Sequence, residues 1–118
     1  MTAVQPDLCW HDVCDVERLL AERGVAALVG AVQVALFRTH DGEVHAIGNV
    51  DPISGAAVLS RGIVGDRGGV PTVASPIYKE SFSLLDGRCL DADGVSVPVY
   101  AVRITDGRVQ IGISWEVP

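Results

Sequence analysis

Four Asp-Gly pairs, at 41–42, 86–87, 93–94 and 106–107, punctuate short apolar runs along this chain of 118 residues. Asp-Gly tolerates the positive φ that tight hairpin turns demand, so a chain broken this way folds into strands that double back on their neighbours. The expectation is an all-β antiparallel sandwich or small barrel. Val25–Val29 and Val32–Phe37 read as two strands joined at Gly30-Ala31, and His40-Asp41-Gly42 turns the chain into a further strand, Val44–Ile47. His40 and His45 are then a turn residue and a strand residue. Val95–Ile104 is β-rich but contains Pro98, which places it at an edge or a bulge because proline cannot donate to a ladder. After Asp106-Gly107, Val109, Ile111, Ile113 and Trp115 alternate with Arg108, Gln110, Gly112 and Ser114, the pattern of a half-buried strand. One segment departs from the strand pattern. Asp15–Arg23 reads as a short N-terminal helix with Asp15 as its N-cap, Val16, Leu19 and Leu20 on one side and Gly24 as its stop.

Residues 1–118 are expected to form a single domain, since this length supports one sizeable core. The formal charge is −6 and Lys79 is the only lysine, which disfavours a nucleic-acid partner, because that role needs a clustered basic face. The first residues carry no basic stretch followed by an apolar one, and the longest apolar run, Val25–Phe37, falls short of the roughly 20 residues that span a bilayer. A cytoplasmic protein with no membrane partner is expected, in which Cys9, Cys14 and Cys89 stay reduced.

Two stretches invite a chemical reading. Cys9-Trp10-His11-Asp12-Val13-Cys14 gathers possible metal donors, but Cys89, His40 and His45 supply no paired motif to complete a four-coordinate site. A first strand with small buried thiols is the simpler expectation. Neither Cys9, His11 and Asp12 nor Tyr78-Lys79 makes a recognisable set of nucleophile, base and orienter. Ser60–Pro71 holds four glycines and two arginines, yet lacks both the Gly-Lys-Ser/Thr of a phosphate loop and the spacing of a dinucleotide fingerprint. A mobile connector exposing Arg61 and Arg67 is expected there.

Between residues 49 and 87 the sequence is more specific. Loop segments 49–59 and 73–87 contain Asp51-Pro52-Ile53-Ser54-Gly55-Ala56 and Ser75-Pro76-Ile77-Tyr78, the latter followed by Phe82 and Gly87. This arrangement resembles the Rieske iron-sulfur domain, whose loops have the forms Cys-x-His-x-Gly-Ala-x-Leu and Cys-Pro-x-His. Gly55, Ala56, Pro76, Phe82 and Gly87 keep the pattern, while Asp51, Ile53, Ser75 and Tyr78 stand at the four ligand positions. A Rieske centre needs two thiolates and two imidazoles. Ile53 has no donor, the Ser75 hydroxyl and the Tyr78 phenol are protonated at neutral pH, and only Asp51 is a competent ligand. The resemblance therefore implies a Rieske-like domain with no metal or other cofactor of its own. Ile53 and Tyr78 are bulky enough to fill the cluster's space, and on that expectation Tyr78→Ala would cost about 3–5 kcal/mol.

Longer strings narrow the resemblance. NVDPISGAAVLSRGIVGD at 49–66, VASPIYKESF at 73–82 and GRCL at 87–90 closely resemble the small subunit of cytoplasmic NAD(P)H-dependent assimilatory nitrite reductase. That family implies a partner, the large subunit, which carries FAD, a [4Fe-4S] cluster and sirohaem and reduces nitrite to ammonium. This chain would belong to the enzyme as an oxidoreductase subunit without catalytic residues of its own. Its loop tips would be the docking surface, with Arg61, Arg67, Tyr78, Lys79 and Arg88 as interface residues. The alternative is a stand-alone Rieske-fold electron-transfer or protein-binding module unrelated to nitrite.

Overall fold

The computed structural model describes residues 8–114. Nine strands form two antiparallel sheets: β1 (Leu8–Asp15), β2 (Gly24–Val29), β3 (Val32–Arg38), β4 (Val44–Gly48), β5 (Ile63–Arg67), β6 (Val70–Ala74), β7 (Ser81–Ser83), β8 (Val99–Thr105) and β9 (Arg108–Ser114). Six of them run in the order β1-β9-β8-β4-β3-β2 as a half-barrel, and β5-β6-β7 make a small second sheet.

Glycine-bearing two-residue turns set three of the hairpins. Gly30-Ala31 joins β2 to β3 with Val29 opposite Val32, and Asp106-Gly107, both at positive φ, joins β8 to β9 with Thr105 opposite Arg108. Gly68-Gly69 joins β5 to β6 in the same way. The segment expected to be a mobile connector is thus largely a hairpin. Its glycines serve the turn and a close approach, since a Cβ on Gly62 would lie 2.3 Å from the Ala74 carbonyl oxygen.

The β3 run from Val34 to Phe37 is apolar and buried throughout because β3 is a wall shared by two cores. Ala35 and Phe37, with Ile47 of β4, face the small sheet and pack with Leu59, Val73, Phe82, Leu84, Cys89 and Val97. Val34 and Leu36, with Ala46, face into the half-barrel and pack with Leu19, Val29, Val109, Ile111 and Ile113. Each fully buried aromatic here contributes about 1.5–3 kcal/mol relative to exposure, so Phe37 and Phe82 anchor the layer that carries the loops.

Four sequence expectations need correction. Asp15–Arg23 is not a helix: a single 3-10 turn spans Val16–Arg18, and Asp15 makes no side-chain cap. Leu19 is buried whereas Leu20 is 60% exposed, and Glu22 at φ +64 donates its N–H to the Arg38 carbonyl, so the segment follows β3 instead of coiling. Pro98 precedes β8, which begins at Val99. Its ring packs on Gly48 and its carbonyl accepts the Gly48 N–H. On β1 the thiols are not buried, Cys9 being exposed and Cys14 half-buried. On β9, Val109, Ile111 and Ile113 face inward as expected, but Gly112 is buried too, beneath Trp10, while Trp115 lies outside the described residues.

Candidate functional site: two matched loops closed by a buried hydrogen bond

The β4–β5 connection and the β6–β7 loop contain the same six-residue turn. In the first, the Asp51 N–H donates to the Ala56 carbonyl (2.8 Å), the Gly55 N–H donates to the Asp51 carbonyl (2.7 Å), and the Asp51 carboxylate accepts the Ile53 N–H (2.9 Å). In the second, the Ser75 N–H donates to the Glu80 carbonyl (2.9 Å), the Lys79 N–H donates to the Ser75 carbonyl (2.9 Å), and the Ser75 hydroxyl accepts the Ile77 N–H (3.3 Å). A third copy, Ser83–Arg88, follows β7, with Ser83 bonding Arg88, Gly87 and Leu85 in the same three ways. Each turn needs a left-handed residue at its fifth position. Gly55 at φ +79 and Gly87 at φ +78 supply it in two of them, and Lys79 at φ +67 supplies it in the third.

The first residues of the two matched loops meet. The Ser75 hydroxyl donates to Asp51 Oδ2 at 2.7 Å, and the two residues are 1% and 0% exposed. Burial pushes the Asp51 carboxyl up, but the donors from Ser75, Ile53 and Ser54 outweigh it and hold the group below the ordinary carboxylate range. The positions of the two thiolates in the Rieske pattern are therefore bonded directly to each other, and both residues spend their polar atoms on the loops themselves.

The positions of the two imidazoles behave differently. Ile53 is 40% exposed and Tyr78 is 58% exposed, so neither fills an interior space. At the third and fourth positions of these turns the chain is at its apex and side chains project outward, while the Asp51–Ser75 bond draws the loop bases together beneath them. Tyr78→Ala is accordingly expected to shift the unfolding free energy by less than about 1 kcal/mol, read as a nearly unchanged urea midpoint.

The expected interface residues lie on separate segments of the chain. Lys79 and Tyr78 share the 75–80 loop, and Arg61 is the exposed last residue of the largely buried turn that follows the first loop. Arg67 is engaged elsewhere, bonding Asp91 at 2.8 Å and the Ser81 hydroxyl at 3.3 Å. Asp91 also accepts the Ser81 N–H, a link the sequence did not announce. Arg88 closes the third loop, at the opposite end of β7 from Lys79. The paired Pro-Ile sequences after Asp51 and Ser75 were the available signal for the matched turns.

Elsewhere, His11 and Cys14 line a cleft of about 570 Å³ between β1 and β2. Asp12, beside His11 in sequence, is held by Arg108 at 2.6 Å, which keeps its carboxyl below the ordinary range. Among the described residues no three His, Cys, Asp or Glu side chains are placed to hold a metal ion. No helix of the described residues is long and apolar enough to cross a membrane.

A half-barrel carrying a small three-stranded sheet with two matched loops is the architecture of the Rieske-like [2Fe-2S] domain family, whose pattern matches residues 9–112, and the chain belongs to that family. Its relatives are more particular. The nitrite reductase (NADH) small subunit of Escherichia coli (strain K12) is 45% identical over 103 residues, covering 86% of this chain and 95% of that one. A crystal structure described as an NADH-dependent nitrite reductase small subunit from Mycobacterium tuberculosis superposes with a TM-score of 0.87 at 56% identity, covering 90% of this chain and 96% of that one. The NAD(P)H nitrite reductase large subunit of Klebsiella oxytoca is 41% identical over 107 residues, which are 91% of this chain and 11% of that polypeptide. Within the Rieske-like domains, the chain therefore belongs with the nitrite reductase small subunits.

Proposed function

We propose that this chain is a cluster-free small subunit of an NAD(P)H-dependent nitrite reductase, which supports the large subunit as it converts nitrite to ammonium and transfers no electrons itself. The observation that carries the proposal is the Asp51–Ser75 hydrogen bond, in which the loops satisfy each other where a cluster would be held. The four residues at the ligand positions do not fit a [2Fe-2S] group. A buried carboxylate engaged by two donors, its hydroxyl partner, an exposed isoleucine and an exposed phenol are not two thiolates and two imidazoles. The redox chemistry then belongs to the large subunit, to which the family resemblance assigns FAD, an iron-sulfur cluster and sirohaem.

The Klebsiella oxytoca large subunit supports this partnership, because it carries within one polypeptide a stretch similar to nearly all of this chain. The test is nitrite-dependent NAD(P)H oxidation by the purified large subunit with and without this chain, together with co-purification and iron and sulfide analysis of the chain alone. A colourless chain without stoichiometric iron that binds the large subunit and raises its turnover or lifetime is the expected result. Stoichiometric iron and sulfide would overturn the cluster-free assignment, and absence of binding would overturn the subunit assignment.

A further inference from the structure

We propose that Lys79 is the charged anchor of the docking surface, seated against a carboxylate-bearing patch of the nitrite reductase large subunit and flanked by the apolar tips of the two matched loops. The inference rests on the subunit assignment above and adds to it the chemistry of the contact. Three turns of one geometry occur among the described residues, and glycine occupies the left-handed position in two of them. Lysine takes that position in the third. Its Cβ makes φ +67 costlier than it is for glycine, a cost also carried by Glu22 and Asp106, and such strain clusters at functional sites.

No use for the side chain is apparent within the fold. Lys79 is exposed, and among the described residues its ammonium makes no hydrogen bond or ion pair. Its surroundings suit an interface better than open water. Tyr78 (58% exposed), Ile77 (43%) and, on the adjoining loop, Ile53 (40%) offer apolar contact, and exposed Pro52 and Pro76 stiffen the two loops.

The charge distribution selects the partner. The chain carries −6 overall, yet between positions 49 and 64 its only charged residues are Asp51, fully buried, and Arg61, and between 73 and 79 its only charged residue is Lys79. These stretches thus present the cations Arg61 and Lys79 on an acidic protein, and the one carboxylate that closes the second loop, Glu80, is half-buried. A second copy of this chain, itself acidic and cationic at the same loops, would set like charge against like in a twofold contact. A carboxylate patch on the large subunit complements it.

The experiment compares binding of the wild-type chain and of Lys79→Gly, Lys79→Arg and Tyr78→Ala to the purified holo large subunit, at two salt concentrations, alongside thermal unfolding of each chain. Lys79→Gly is expected to unfold at an equal or higher temperature, because the strain is relieved, and to bind about tenfold more weakly with a shallower salt dependence. Lys79→Arg should recover most of the affinity, and Tyr78→Ala should lose affinity without losing stability. Wild-type binding matched by Lys79→Gly would overturn the anchor while leaving the subunit assignment intact. Failure of the wild-type chain to bind would overturn both, as would self-association that Lys79→Gly abolishes in place of binding to the large subunit.

Discussion

Asp51→Ala is expected to lower the unfolding free energy by about 3 kcal/mol, measured by urea denaturation at neutral pH. The substitution removes the acceptor for the Ser75 hydroxyl and the Ile53 N–H at once, and the hydroxyl is too buried for water to replace what is lost. A buried donor left unpaired costs about 1–3 kcal/mol, and bonds to a charged acceptor are stronger than neutral ones. Asp51→Asn keeps an acceptor for one donor and offers an amide that Ser75 can accept from, so its cost at neutral pH should be nearer 1 kcal/mol.

The same pair of variants has a pH signature. Asp51 is held below the ordinary carboxylate range in the fold, so in acid the unfolded chain binds the proton first. The stabilisation is complete above the unfolded value, about 4, and is lost as pH falls through the lower folded value. Asp12, Asp41, Asp86 and Asp91 are also held low, so wild type and variant will both weaken in acid. The difference between wild type and Asp51→Asn isolates the one group, and it should shrink as the pH falls below 4. A difference constant from pH 7 to pH 3 would show that Asp51 is not the ionised hub of the loops.

The loops differ from the sequence expectation at a definite physical point. The alternation on β9 and the turns at Gly30-Ala31 and Asp106-Gly107 were legible because side-chain period and positive φ are local properties. The resemblance at 49–87 placed the two loops, and Asp51 and Ser75 could be named from it. That they bond each other across the gap is a tertiary fact, fixed only when β6 and the β4–β5 connection are set side by side. The expectation that Tyr78 and Ile53 turn inward failed for the same reason, since once the loop bases close no space remains to be filled. The mistaken helix at Asp15–Arg23 had an acidic residue at its start, apolar spacing and a glycine at its end. Gly24 is there for another purpose: a Cβ on it would lie 2.1 Å from the Ser60 carbonyl oxygen, so it permits the start of β2 to pack against the turn after the first loop.

Gly55 and Gly87 occupy the same place in the same turn, and replacing them should have very different effects. Gly55→Ala introduces a side chain at φ +79 with nothing within 4 Å of its Cβ, so the cost is the left-handed strain alone, about 1–2 kcal/mol. Gly87→Ala meets the same strain at φ +78, and its Cβ would also lie 2.1 Å from the Val97 carbonyl oxygen. That carbonyl belongs to a segment that cannot move freely, because the Val97 N–H donates to the Gly87 carbonyl and Val97 lies in the core beneath the small sheet. Relief would require separating the third loop from residues 95–99, breaking those contacts. Gly87→Ala is therefore expected to cost more than about 4 kcal/mol, within the range that unfolds a marginally stable domain. Circular dichroism and urea midpoints for the two variants decide the matter. Near-equal midpoints would mean that the backbone at Val97 yields, whereas a folded Gly55→Ala beside an unfolded Gly87→Ala would show that the third turn is clamped by its neighbour while the first is free to present its tip.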